Sequence, residues 1–119
     1  MKNITTELIN KPAKIEEIEK IINNLLYSNH KWLVLSNTDD SNYIQVFAID
    51  NEYMIEYRKY DFENFEHYRL YTKNSDKIQN YFKLFFDNEK ISVNSWENVT
   101  KEFKKKSIFL KFFEFFKNK

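Results

Sequence analysis

Residues 43–71 read YIQVFAIDNEYMIEYRKYDFENFEHYRLY. Three runs rich in β-branched and aromatic residues, 43–50, 52–58 and 65–71, are broken by Asp50-Asn51 and by the DFEN cluster at 61–64. Such punctuation describes an antiparallel meander, because Asp and Asn tolerate the backbone that tight hairpin turns require. A two-residue turn at Asp50-Asn51 sets Val46 opposite Ile55 and Ile44 opposite Tyr57. A loop at DFEN sets Tyr57 opposite Tyr68 and Ile55 opposite Leu70. Upstream, WLVLSN at 32–37 supplies a fourth strand. A five-residue loop after Asn37 would set Val34 opposite Val46 and Trp32 opposite Ala48. These registers predict one core face of Trp32, Val34, Ile44, Val46, Ile55, Tyr57, Tyr68 and Leu70, since side chains alternate across a strand and a one-residue slip inverts them.

Outside the meander the hydrophobic period changes. Ile15, Ile18, Ile21, Ile22, Leu25 and Leu26 fall three or four apart, which predicts a helix with Pro12 in its first turn and Glu16 and Glu17 near its positive end. Asn74 or Ser75 caps a second helix that carries Ile78, Tyr81, Phe82, Phe85 and Phe86 on one side and stops at DNEK. Residues 92–99 read either as a strand or as the start of a last helix capped by Asn94 and Glu97, with Trp96, Val99 and Phe103 inward. Ile4, Thr6 and Leu8 alternate as a short first strand would. The expectation is an α+β fold: a four-stranded antiparallel meander flanked by an N-terminal helix and C-terminal helices. It forms a single domain over 1–119, with 104–119 as a basic, aromatic helical tail.

Composition excludes several chemistries. The chain has 119 residues, no Gly, one Pro and no Cys. A phosphate cradle needs glycine where the backbone approaches its ligand, so nucleotide fingerprints are absent. Disulfides and thiolate nucleophiles are impossible, and a cytoplasmic location with no cofactor is the expectation. No run reaches the length of a membrane span, and the first residues lack the apolar stretch of a signal peptide. Residues 101–119 hold seven Lys and two Glu, leaving twelve basic and sixteen acidic side chains before them, an acidic body with a basic end.

The registers place Gln45 across from Glu56, Glu56 across from Arg69, and Arg58 across from His67 on the face opposite the core. Leu33, Leu35, Phe47, Ile49 and Met54 are expected beside them. One histidine among arginines makes a weak general base, because neighbouring positive charge disfavours its protonation. The only other histidine, His30, is too distant in sequence to suggest a metal site. The readings are a solvated cross-strand ion-pair ladder, or a face that is apolar at one side and charged at the other and either sits beneath a helix or, if exposed, meets a partner through aromatic anchors and charges that demand complements.

From Ile108 to Phe116, seven of nine residues are apolar. Phe109, Phe112, Phe113 and Phe116 can share one helical side, preceded by Lys104, Lys105 and Lys106. The segment suits a helix packed on the sheet, self-association as a homodimer, or peripheral membrane contact. Nucleic acid is disfavoured, since the acidic body would repel it.

From Ile15 to Val99, a helix leads into WLVLSN, the Tyr-Ile-Gln-Val strand, the aromatic-Glu-Tyr-Arg strand and the His-Tyr-Arg strand. This arrangement resembles the small immunity proteins of bacterial polymorphic toxins. The resemblance implies a non-enzymatic binder that occludes the active site of a cognate toxin, often a nuclease. Its contacts would be Gln45, Glu56, Arg58, His67 and Arg69, with Asp39 and Asp40 in a neighbouring loop. The alternative is a membrane-surface or self-associating accessory protein that uses the Lys- and Phe-rich segment.

Overall fold

The computed structural model describes residues 2–27, 31–38, 42–61 and 64–105. Strands β1 (Lys2–Thr5) and β2 (Asn10–Pro12) precede helix α1 (Ile15–Asn24). Then come β3 (Trp32–Asn37), β4 (Tyr43–Ile49), β5 (Glu52–Asp61) and β6 (Asn64–Thr72). Helix α2 (Ser75–Phe86), β7 (Glu97–Asn98) and α3 (Thr100–Lys105) follow. The fold is α+β, but the sheet has seven strands rather than the expected four, in the order β2-β1-β3-β4-β5-β6-β7. Every neighbouring pair is antiparallel.

Turn chemistry sets the centre of the sheet. Asp50 and Asn51 both take left-handed backbone, at φ 51° and 64°. That is the turn whose twist matches a hairpin, with Asp and Asn serving where glycine is absent. Val46 therefore meets Ile55 and Ile44 meets Tyr57. Across the next hairpin Ile55 meets Leu70 and Tyr57 meets Tyr68, as expected, and pairing continues out to Asp61 and Asn64.

The expected register of β3 is off by one. Leu33 pairs with Val46 and Leu35 with Ile44, because the Asn37 N–H bonds the Asn42 carbonyl at 2.9 Å and shortens the loop by a residue. Leu33 and Leu35 are thus wholly buried in the core. Trp32 and Val34 turn to the other face, against Phe47 and Gln45.

Both longer helices cover the core face. Ile18, Ile22 and Leu25 of the α1 region, with Ile78, Phe82 and Phe85 of α2, pack on Ile4, Leu33, Leu35, Ile44, Val46 and Ile55. Phe82 is fully enclosed, worth about 1.5–3 kcal/mol as a transfer from water. Pro12 lies in β2 rather than in the first turn of α1, which opens after Lys14 with Glu16 and Glu17 at its positive end. The Asn74 side chain accepts from the N–H groups of Asp76 and Lys77, at 3.0 and 3.3 Å, as the sequence predicts for a cap. At the other end of α2, Asn88 at φ 59° lets the Glu89 N–H reach the Leu84 carbonyl and its own N–H reach Phe85, a Schellman ending.

Residues 92–99 make neither a full strand nor a helix. Trp96 lies edge-on against Tyr81 at 4.9 Å and Tyr57 at 6.5 Å. With the Trp96 N–H bonded to the Val93 carbonyl, the segment is held as a turn. Only Glu97 and Asn98 pair with β6. Helix α3 therefore opens six residues beyond Asn94, with the Asn98 side chain accepting from the Thr100 N–H at 3.0 Å.

Candidate functional site

The face of the sheet away from α1 and α2 carries three adjacent cross-strand rows. One is Ser36, Tyr43, Arg58 and His67; the next is Val34, Gln45, Glu56 and Arg69; the third is Trp32, Phe47, Met54 and Tyr71. The rows follow from the strand period of two, which brings Gln45, Glu56, Arg58, His67 and Arg69 together as the sequence predicts.

Glu56 is the hub. It accepts from Gln45 Nε2 at 2.8 Å and from Arg69 Nε at 2.9 Å, and Arg69 NH2 lies 2.8 Å from the same carboxylate. Both Arg69 nitrogens approach the same oxygen, Oε2, while Gln45 takes Oε1, so the pair is a charge-assisted hydrogen bond backed by a second ion contact. His67 Nε2 sits 3.2 Å from Glu56 Oε2, but the approach is bent and leaves the N–H without an aligned acceptor, so the contact is Coulombic. On the other side of the ring, Arg58 Nε donates to His67 Nδ1 at 2.9 Å. An arginine N–H can only donate, so Nδ1 is the acceptor and the ring proton resides on Nε2.

The expected solvated ladder is instead sealed. Glu56 is 3 % exposed and His67 0 %. Helix α3 makes the seal. The Val99 N–H bonds the His67 carbonyl at 2.8 Å, Thr100 Oγ1 accepts from the His67 N–H at 2.9 Å, and the Phe103 ring lies 3.9 Å from the imidazole. Arg58 is held among aromatic faces, 4.2 Å from Phe65, 4.8 Å from Phe103 and 5.5 Å from Tyr43. Stacked guanidinium of this kind gains from each ring quadrupole while its edge still donates. Glu102 closes the group by accepting from Arg69 NH1 at 3.1 Å.

Burial pushes the His67 imidazole below its ordinary value, and the charges of Arg58 and Arg69 add to that, against the pull of Glu56. Burial alone would raise Glu56, but His67, Gln45 and Arg69 outweigh it and hold the carboxyl below its usual range. The enclosed Tyr43 phenol is pushed up to about 12, chiefly by burial. With imidazole neutral, two arginines balance two glutamates, and a proton on His67 would leave an uncompensated buried charge.

Both imidazole nitrogens are turned toward cluster partners, and the ring has no solvent access, so the group does not present a base to a substrate. Glu56 and His67 cannot themselves touch a partner; they position Arg69, Arg58 and Gln45, which are half-buried. Among the described residues no cluster of His, Asp or Glu could hold a metal ion. No described helix is long and apolar enough to cross a membrane.

Asp39 and Asp40, expected at the partner surface, lie outside the described residues, as do Lys106, Phe109, Phe112, Phe113 and Phe116. Lys104 is described, with Nζ 5.6 Å from the Phe65 ring, and Lys105 ends α3. The sequence reading missed Tyr43, Phe65, Thr100 and Glu102 as members of the cluster. The Asn98-Val-Thr100 cap followed by Glu102 and Phe103 is the signal that would have brought α3 onto His67.

The third row, Trp32, Phe47, Met54 and Tyr71, is apolar and lies beyond α3. Phe47 and Met54 fall on this face as expected, whereas Leu33 and Leu35 do not, and Trp32 and Val34 take their place. Tyr71 is 53 % exposed and Ile49, beyond it, 45 %. Trp32, Phe47 and Met54 are half-buried.

Comparison with protein-family models, with curated protein sequences and with solved structures finds no match to this chain.

Proposed function

We propose that the chain is a non-enzymatic binding protein that neutralises a bacterial toxin by lying across its active site. The observation that carries the reading is one juxtaposition. A row of Trp32, Phe47, Met54 and Tyr71 runs beside an Arg69 side chain already clamped between Glu56 and Glu102. Tight interfaces concentrate their energy in aromatic and arginine anchors inside a polar rim. A guanidinium fixed beforehand loses little further entropy on binding. The family resemblance of residues 15–99 supplies the class of partner. The excess of acidic side chains before residue 101 favours a basic toxin such as a nuclease, since opposite charge speeds encounter.

The test is protection. The chain is co-expressed with the toxin domain encoded beside it, and growth is scored together with co-elution of the purified pair. Phe47→Lys and Tyr71→Ala, checked for an unchanged melting temperature, are expected to abolish protection while the wild type preserves growth. Toxin inhibition that survives both substitutions would overturn this surface. Absence of any inhibition by the wild type would overturn the function.

A further inference from the structure

We propose that helix α3 is a latch on the sheet, released when a proton adds to Nδ1 of His67. The closed state depends on one lone pair. Arg58 Nε donates to Nδ1 at 2.9 Å, and a guanidinium has no lone pair with which to accept in return. A proton on Nδ1 therefore turns a hydrogen bond into two N–H groups aimed at each other at contact distance. Both nitrogens of an imidazolium are donors, so neither a change of tautomer nor a flip of the ring removes the clash. The ring is 0 % exposed and has no water to turn to.

The surrounding charges offer it no spare acceptor. From β5 the ring faces Glu56, 3.2 Å from Nε2, and Arg58, whose NH1 lies 3.4 Å from the Tyr60 hydroxyl. Strand β6 adds Arg69, which already draws on Glu56. Strand β4 adds the Tyr43 ring at 6.1 Å, its phenol held un-ionised by a pKa pushed up to about 12. From α3 come Glu102, engaged by Arg69, and Lys104, a further cation beside Phe65. Phe103 presents its ring at 3.9 Å, but the Arg58 guanidinium lies 4.8 Å from the same ring. An imidazolium here meets two arginines while its one adjacent carboxylate is shared, and such a buried charge is relieved by reaching water.

The element that yields is α3. Strands β4, β5 and β6 are joined by long ladders and backed by the core. Helix α3 has six residues, too few to hold as a helix by itself. Its hold on the sheet converges on His67, through the Val99 N–H on the His67 carbonyl, Thr100 Oγ1 on the His67 N–H, and Phe103 on the imidazole. Two further ties are Phe103 on Arg58, which the same proton displaces, and the exposed Glu102 on Arg69. Short elements held in this way open locally before the whole fold does. Undocking α3 gives the imidazolium and Arg58 access to water and bares Glu56 on the sheet face. The latch belongs to the free chain and does not depend on the toxin-binding reading. Under that reading, undocking also parts Arg69 from Glu102, so affinity for the partner falls in mild acid.

The test uses the full chain with no partner present, so its failure is separable from failure of the function. Hydrogen exchange of the Val99 and His67 amides, which bond across the contact between α3 and β6, is followed by NMR and corrected for the intrinsic rate at each pH. With an ordinary imidazole in the open state and a neutral one in the closed state, both protection factors are expected to fall about ten-fold from pH 7.5 to 5.5. The Ile55 amide, in the centre of the sheet, is expected to stay far better protected throughout. Val99 protection that is flat over this range, or lost only together with that of Ile55, would overturn the proposal. So would a His67 ring that takes up its proton, read from its nitrogen shifts, with the Val99 and His67 amides still protected. His67→Asn keeps an oxygen for Arg58 and cannot titrate, and it is expected to hold Val99 protection constant over the same range. A ten-fold fall in that variant would assign the effect to another group and overturn the latch. If the variant does not fold, the wild-type ring titration set beside amide exchange still decides the matter.

Discussion

Replacing Glu56 with Gln keeps the shape of the hub and removes its charge, so it asks directly whether the cluster is sealed or solvated. The carboxylate accepts from Gln45 and from Arg69 Nε, has Arg69 NH2 within ion-pair distance, and lies 3 % exposed. Hydrogen bonds to a charged group contribute roughly 1.5–3 kcal/mol each, and breaking a fully buried pair costs about 3–5 kcal/mol. Arg69, however, retains 21 % side-chain exposure and its contact with Glu102, so water and Glu102 recover part of the loss. The expected destabilisation is about 2–3 kcal/mol, at the low end for a buried pair. For a chain of this length that lowers Tm by roughly 10 °C. Urea unfolding at pH 7 is the assay, read as a fall in the midpoint with an unchanged m value. A cycle with Arg69→Met isolates the pair, and the loss is expected to persist in high salt, because buried charges are poorly screened. A loss under about 0.5 kcal/mol, or one erased by salt, is the behaviour of an exposed ladder and would refute the sealed cluster.

Three further outcomes are expected. Acid should weaken the fold in two stages: His67 and Glu56 are both held below their ordinary values of 6.5 and 4.5, so the unfolded chain binds more protons in each window. The His67 contribution is complete above about pH 6.5 and is lost as pH falls through its lower folded value, with the Glu56 contribution following below about 4.5; a urea midpoint flat from pH 7.5 to 5 would contradict this. Leu33→Ala should cost about 2–4 kcal/mol and Val34→Ala under about 1.5, measured by denaturation, and the reverse ranking would restore the register first expected for β3. Asn51→Val, forced into left-handed backbone, should cost about 1–2 kcal/mol, whereas Asn51→Gly should be neutral or slightly stabilising; equal effects in thermal melts would argue against the turn type.

The parts legible in the sequence were those where a turn and a period agree. Asp50-Asn51 pins the register of β4 on β5, and the spacing of Ile15 through Leu26 and of Ile78 through Phe86 picks out α1 and α2. Strand β3 escaped because WLVL is apolar at every position, so either alternate set could face the core and the decision fell to a polar loop of ambiguous length. Strand β2 is fully exposed over Asn10–Pro12 and leaves no hydrophobic trace, although it extends the sheet through β1. The last helix was misplaced because Asn94 and Glu97 mimic a cap, while Trp96, packed on Tyr57 and Tyr81, holds that stretch as a turn. Gathering of Gln45, Glu56, Arg58, His67 and Arg69 followed from register alone. Their burial did not, since it depends on Thr100 and Phe103 arriving from 33 and 36 residues beyond His67.

The outermost strands have a bearing on assembly. At one margin stand three residues, the last a proline that cannot donate to a neighbour, and at the other only Glu97 and Asn98. Among the described residues neither rim offers a ladder long enough to template a further strand, which discourages fibril growth and strand-swapped polymers. Association through the described sheet is then left to side chains on its faces rather than to backbone pairing at an edge.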